Sequence, residues 1–166
     1  MEKSKKPFRL FLTLLMILTA CSIQKTNAQT KSENKQTIAQ AVREALSNQA
    51  FTIHVEQMYP QNGRARSLNS YFSLEIRNDT VFSNLPYFGV AYSAVLGSSK
   101  GLVFDATLSD LEIIPQKKGK TKVQFTTKNE EDVYTYTITL WENGSANIYV
   151  QPMRRQSISY LGRLEQ

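Results

Sequence analysis

The chain predicts an α+β fold that is mostly β: one N-terminal amphipathic helix packed on a curved antiparallel sheet, or a partly closed barrel, of about eight strands. Three observations carry this expectation. After residue 50 the apolar residues recur with a period of two. Short polar turns separate these runs and no helical stretch lies between them, which excludes parallel βαβ units. A single run with helical spacing precedes them all.

The helix is expected from Thr37 to Asn48. Ile38, Val42, Ala45 and Leu46 stand at i, i+4, i+7 and i+8, which makes one apolar stripe, with Arg43 and Glu44 off it. Strands come next. Phe51, Ile53 and Val55 alternate with Thr52, His54 and Glu56. Tyr71 to Ile76 alternates and passes through Arg77-Asn78-Asp79 into Thr80-Val81-Phe82. Leu102, Phe104 and Ala106 form a strand beyond Gly101, and Leu111 to Ile114 forms another that ends at Pro115. Val123, Phe125 and Thr127 succeed a lysine-rich turn. Val133 to Trp141 puts Tyr134, Tyr136, Ile138 and Leu140 on one side and threonines on the other. Asn143-Gly144 predicts a tight type I′ hairpin, a turn that needs positive φ at both central residues. Ala146, Ile148 and Val150 continue the buried side to Pro152, and Ile158 and Tyr160 open a last strand before Gly162. One polar and one apolar face per strand means antiparallel pairing with one wet side.

The N-terminus reads as an export signal over residues 1–20. Lys3, Lys5, Lys6 and Arg9 form a basic flank, and Leu10 to Leu18 is apolar apart from Thr13. A membrane-spanning helix needs about 20 apolar residues, roughly twice this run. Two cleavages fit the residues beyond the apolar run. Leu18-Thr19-Ala20-Cys21 resembles the bacterial lipobox, which implies a diacylglyceryl group on Cys21 and a membrane anchor. Thr26-Asn27-Ala28 before Gln29 resembles an ordinary signal-peptidase site, which would release a soluble periplasmic protein. Residues 21–36 are polar and are expected to be a disordered tether. Residues 37–166 then make one β-rich domain. Cys21 is the only cysteine, so a single chain can form neither a disulfide nor a zinc–thiolate site.

The formal charge of +6 falls to +3 without the signal, with 16 basic residues against 13 acidic. A nucleic-acid binder would carry a basic stripe. Lys117, Lys118, Lys120 and Lys122 around Gly119 read instead as a solvated turn with edge lysines. Nucleic acid is therefore not an expected partner.

Three segments carry a family resemblance: Leu85 to Ala106, Tyr134 to Glu165, and the tether and helix ahead of them. Gly89 with Tyr92, Gly101 with Phe104, and Arg155 with Ile158-Ser159-Tyr160 and Gly162 are its most specific pieces. Together they resemble the domain of unknown function family numbered 4251, found in envelope proteins of Bacteroidota. The resemblance implies compartment and fold, and no activity. In that setting, Ser22-Ile23-Gln24-Lys25 after the cysteine lacks the acidic residues that accompany surface display. It favours an anchor facing the periplasm. Asp79-Thr80-Val81 resembles the O-glycosylation motif of the phylum, with Thr80 as acceptor.

Residues with chemical potential are few. His54, the sole histidine, falls on the outer side of its strand and is expected at the surface; one imidazole does not make a metal site. Asp105 and Asp110 lie close in sequence, and Glu130-Glu131-Asp132 form a polar hairpin loop. Gly97 to Gly101 lacks the spacing of a phosphate-binding loop and feeds a strand. Arg154 and Arg155 carry guanidinium forks suited to carboxylate or phosphate, or to pairing with Asp105 or loop carbonyls. The aromatics of the first half, Tyr87 and Tyr92 among them, would line an apolar ligand cavity or fill the core. Arg154, Arg155, Tyr87 and Tyr92 are thus the candidate contacts for a ligand or partner. No catalytic residue, metal ligand or cofactor is assigned. The first functional expectation is a non-enzymatic, lipid-anchored binding or interaction module for an apolar small molecule, a glycan or an envelope protein. The alternatives are a carboxylate-dependent hydrolase of glycan or lipid, and a structural or assembly factor that uses the sheet edge or the Tyr87-Phe88 turn.

Overall fold

Alternation of period two produces nine strands among the described residues, and their pairing closes on itself. A computed structural model describes residues 26–92 and 101–165. The export signal, Cys21 and most of the Gly97–Gly101 segment lie outside these residues. The chain divides into two units with the boundary after Thr37. The second unit holds the last turns of helix α1 (Thr26–Ser47) and the nine strands. These are β1 (Ala50–Pro60), β2 (Arg66–Ser67), β3 (Ser73–Arg77), β4 (Thr80–Leu85), β5 (Leu102–Gln116), β6 (Lys120–Lys128), β7 (Val133–Trp141), β8 (Ser145–Pro152) and β9 (Ile158–Leu164).

Strands β3 to β9 form an antiparallel meander, each paired with the next. β1 pairs with β3 along one edge through residues 50–54 and with β9 along the other through residues 53–60. The short β2 extends the β3 edge, opposite Gln57 and Met58. The result is a closed eight-stranded barrel, so the expectation of a curved sheet or partial barrel resolves to full closure.

The interior is filled. Ile53, Leu74, Ile76, Leu85, Leu102, Phe125, Tyr134, Tyr136, Ile138, Leu140, Ile148 and Tyr160 are essentially inaccessible to solvent. An eight-stranded barrel is just wide enough for side chains to fill. Phe125 stacks on Tyr136 at 4.9 Å, and Phe104 on Tyr134 at 4.8 Å. The last turns of α1 cover the barrel end that carries the β5–β6 and β7–β8 turns: Val42 and Leu46 are buried there, and Ile38 lies over Gly144.

Closure has a local requirement. A bulge between Val55 and Gln57 moves the inward side of β1 from Ile53 and Val55 to Met58 and Pro60. Beside it β9 comes very close: a Cβ on Gly162 would lie 2.1 Å from the His54 carbonyl oxygen. Only glycine fits this seam. Gly162 is therefore inside the last strand, and the strand continues past it to Leu164.

Four further expectations are corrected. Helix α1 begins at Thr26, within the expected disordered tether. Residues 28–36 contain neither Gly nor Pro and are rich in good helix formers, so a helix nucleated at its packed end propagates backwards. The two strands expected over 102–114 are one, β5, with a bulge between Ser109 and Glu112 and Asp110 left-handed at φ 56°. That bulge resets the inward side from Leu108 to Leu111, which looks like a strand break in the sequence. Pro115 does not end the strand but pairs with Thr121. The hairpin at Asn143-Gly144 is present but is not type I′. Only Gly144 is left-handed (φ 78°), in a three-residue loop from Glu142 to Gly144. Gly144 N donates to the Trp141 carbonyl and Asn143 Oδ1 accepts from Ser145 N, an arrangement that keeps Asn143 at negative φ.

Gly162→Ala is expected to destabilise the barrel by roughly 3 kcal/mol, because backbone must move to admit the methyl group. Urea unfolding should show a lower midpoint at an unchanged m-value.

Candidate functional site

Two regions of the barrel collect the chemically capable residues, one at each end. The first is the end formed by the β4–β5, β6–β7 and β8–β9 connections, and it gathers Tyr87, Tyr92, Arg154 and Arg155. Residues 90–92 lie along residues 154–156. Tyr92 N donates to the Arg154 carbonyl at 2.8 Å, and Gln156 N donates to the Val90 carbonyl at 3.0 Å. The tyrosine hydroxyls beneath are tied down by backbone. Tyr87 donates to the Gln156 carbonyl at 2.9 Å and Tyr160 to the Pro86 carbonyl at 2.7 Å. Tyr136 donates to Ser83 Oγ, which donates on to the Leu102 carbonyl.

Arg155 is largely buried, with only 10% of its side chain exposed, and pairs with Glu131. Its guanidinium also sits 5.6 Å from the Tyr87 ring centroid. Arg154 donates from Nη1 to the Glu131 carbonyl, and its backbone N–H donates to Asp132. Asp132 is buried and also accepts from its own neighbour, Val133 N. The loop expected to be a plain polar hairpin therefore supplies the partners that hold the arginines. Asp105 takes no part: it is exposed on the outer face of β5, as is Asp110 at the bulge. Tyr92 is 68% exposed, and Phe88, Val90 and Met153 of the same connections are exposed as well.

Burial pushes the Tyr136 and Tyr160 hydroxyls far above the ordinary tyrosine range. Tyr87 and Tyr134 are also raised, burial leading in each case, with the Arg155 charge opposing. The Tyr134 hydroxyl is buried and closes no hydrogen bond among the described residues.

His54 lies on the outer face as expected, yet it is half-buried. Tyr71 stacks on its ring at 5.1 Å, and the Tyr71 hydroxyl donates to Glu165 at 2.6 Å. Thr80 opens β4 directly after the Asn78-Asp79 turn, is half-buried, and donates to Asp79 Oδ1 at 3.1 Å. Among the described residues no group of three or more His, Cys, Asp or Glu side chains could hold a metal ion. Likewise, no described helix is long and apolar enough to cross a membrane.

The second region was not anticipated. At the opposite end, α1 and the β5–β6 hairpin enclose a groove of about 590 Å³. Val42, Leu46, Ile113, Pro115 and Leu140 give it an apolar floor; Arg43, Lys120 and Glu142 stand among its polar residues. Its signal in the sequence was the lysine turn next to an apolar strand, together with a helix whose stripe is wide enough to touch both.

Because Tyr136 and Tyr160 resist ionisation only when folded, the unfolded chain loses those protons first above about pH 10. Stability is then expected to be flat through neutral pH and to fall above about pH 10, by up to about 1.4 kcal/mol per pH unit for each buried tyrosine. Urea midpoints measured from pH 7 to 11.5 check this, and Tyr136→Phe should make the fall shallower.

The comparisons agree with this geometry. A family model described as a domain of unknown function, DUF4251, matches residues 33–164. A crystal structure of a DUF4251 family protein from Bacteroides eggerthii DSM 20697 is similar with a TM-score of 0.59 and 19% identity. The match covers 77% of this chain and 87% of that one. At that identity the likeness speaks to the fold alone. No functionally curated protein matches the chain. The chain belongs to the DUF4251 family, whose barrel it shares.

Proposed function

We propose that this protein is a non-catalytic binding module of the bacterial cell envelope, anchored through a lipid on Cys21 and facing the periplasm. One observation carries the binding reading: the barrel interior is filled by its own side chains, whereas an apolar groove of about 590 Å³ stays open beside α1. Ligand sites commonly fall between roughly 300 and 1,000 Å³. The residues most suited to acid–base work support the same view, since Glu131 is paired with Arg155 and Asp132 holds backbone N–H groups. The hydrolase reading would need carboxylates facing each other across a cleft, and Asp105 and Asp110 instead face outward. The anchor rests on the basic flank, the short apolar run and the lipobox-like Leu18 to Cys21. The Bacteroides origin of the similar structure fits that setting.

A second reading, docking of an envelope protein, is favoured by the exposed apolar side chains of Phe88, Val90, Tyr92 and Met153. These four side chains are each between 46% and 73% exposed at one end of the barrel. Such patches mark interaction sites when they are contiguous and rimmed by polar groups. Arg66, whose guanidinium lies 3.8 Å from the Phe88 ring centroid, supplies part of such a rim.

Native mass spectrometry of the full chain recovered from envelope fractions tests the proposal. The expected species carries a diacylglyceryl mass on Cys21, which Cys21→Ser abolishes. It also carries a non-covalent adduct that Ile113→Arg removes. A chain beginning at Gln29 without lipid contradicts the anchor, and an adduct-free mass in every fraction contradicts the binding module.

A further inference from the structure

The groove beside α1 has a chemical bias that goes beyond its size. Its floor is aliphatic, formed by Val42, Leu46, Ile113, Pro115 and Leu140. Two cations line it from different elements, Arg43 on the helix and Lys120 at the start of β6. The turn that forms one wall adds exposed Lys117 and Lys118. Against these stand one lining carboxylate, Glu142, and the C-terminal end of α1. A helix terminus is worth about half a negative charge. Two lining cations therefore exceed about one and a half opposing charges, and the two turn lysines widen the margin. The edge-lysine role expected from the sequence does not account for Lys120, whose ammonium lies 5.4 Å from the ring centroid of Trp141, the residue that follows the groove's Leu140 in β7.

We infer that the groove takes a single-chain anionic amphiphile: an aliphatic chain along the floor and a carboxylate or similar acidic head between Arg43 and Lys120. This deepens the binding reading above and rests on it. The chain would gain from leaving water in proportion to its length. The head gains from charge-assisted hydrogen bonds to two cations that reach solvent and are not engaged in any described ion pair. Arg43 Nε donates to the Ala39 carbonyl, and the two terminal nitrogens of its fork make no hydrogen bond to another described residue.

The test uses the full chain carrying Cys21→Ser, which then has no thiol and one tryptophan, Trp141. Titration with 2-bromododecanoate places a heavy-atom quencher beside the acid head, and the expected result is saturable quenching of Trp141. Calorimetry with octanoate, decanoate and dodecanoate should show affinity rising about 2- to 4-fold per added methylene. Arg43→Glu with Lys120→Glu should weaken dodecanoate binding about 10-fold or more, while Arg43→Lys with Lys120→Arg should retain it. Both residues are at least partly exposed, so neither variant threatens the core. Absence of quenching, equal affinity for dodecanol or dodecyltrimethylammonium, or an unaltered affinity after charge reversal would each overturn the inference. Equal binding of dodecanol leaves the broader binding reading standing. A native-mass adduct that is lost with Ile113→Arg but is not an acidic amphiphile separates the two in the same way.

Discussion

The pairing of β1 with β9 is the constraint on which the rest of this structure depends. Seven of the eight barrel strands succeed one another as an antiparallel meander, and short turns can set the register of every pair in it except β4–β5, whose connection runs from residue 86 to 101. The last seam joins strands about a hundred residues apart, and it holds only because Gly162 allows the backbone of β9 to lie against His54. Closure removes both sheet edges, which would otherwise invite pairing with other chains. It also fixes the interior volume. In a fold with no cysteine in its domain, stability then rests on filling that volume, and large side chains from every long strand do so.

Filling the barrel decides what its polar residues can do. Backbone carbonyls of the Pro86 and Gln156 segments accept from the hydroxyls of the buried Tyr160 and the half-buried Tyr87, while that of Tyr134 closes no hydrogen bond among the described residues. Those same segments, with Glu131 and Asp132, hold Arg154 and Arg155. The residues that looked most like a ligand site thus form the lid of the barrel. Arg155 is the plainest example: a fork suited to an external acid is paired with an internal one. The space left for a ligand lies outside the barrel, lined by residues of a helix and a β-hairpin.

Much of the fold was legible in the sequence because alternation is strict where strands have one wet face. Val133 to Trp141 is the clearest case, and its inward residues are the four that the pattern picks out. The helix stripe of Ile38, Val42, Ala45 and Leu46 was equally plain. Bulges defeated the pattern: at Asp110 an extra residue reverses the inward side and makes one strand read as two. Closure itself left only Gly162 as a trace, and a strand glycine has several meanings. At the site, the sequence pointed to Arg154 and Arg155 but not to their partners. Glu131 lies 24 residues away, and only the meeting of two loops makes it a neighbour. The groove was hidden for a similar reason, since its walls come from residues 42–47, 113–121 and 140–142.

The central claim is that this barrel is a filled scaffold whose binding surface lies outside it. Methyl-detected NMR of the isoleucine side chains during titration with dodecanoate tests it most directly. Ile113 faces the groove, while Ile53, Ile138 and Ile148 are sealed in the interior. The account predicts saturable shifts at Ile113 and none of comparable size at the other three. Large shifts at Ile53 or Ile148 with Ile113 unmoved would contradict it.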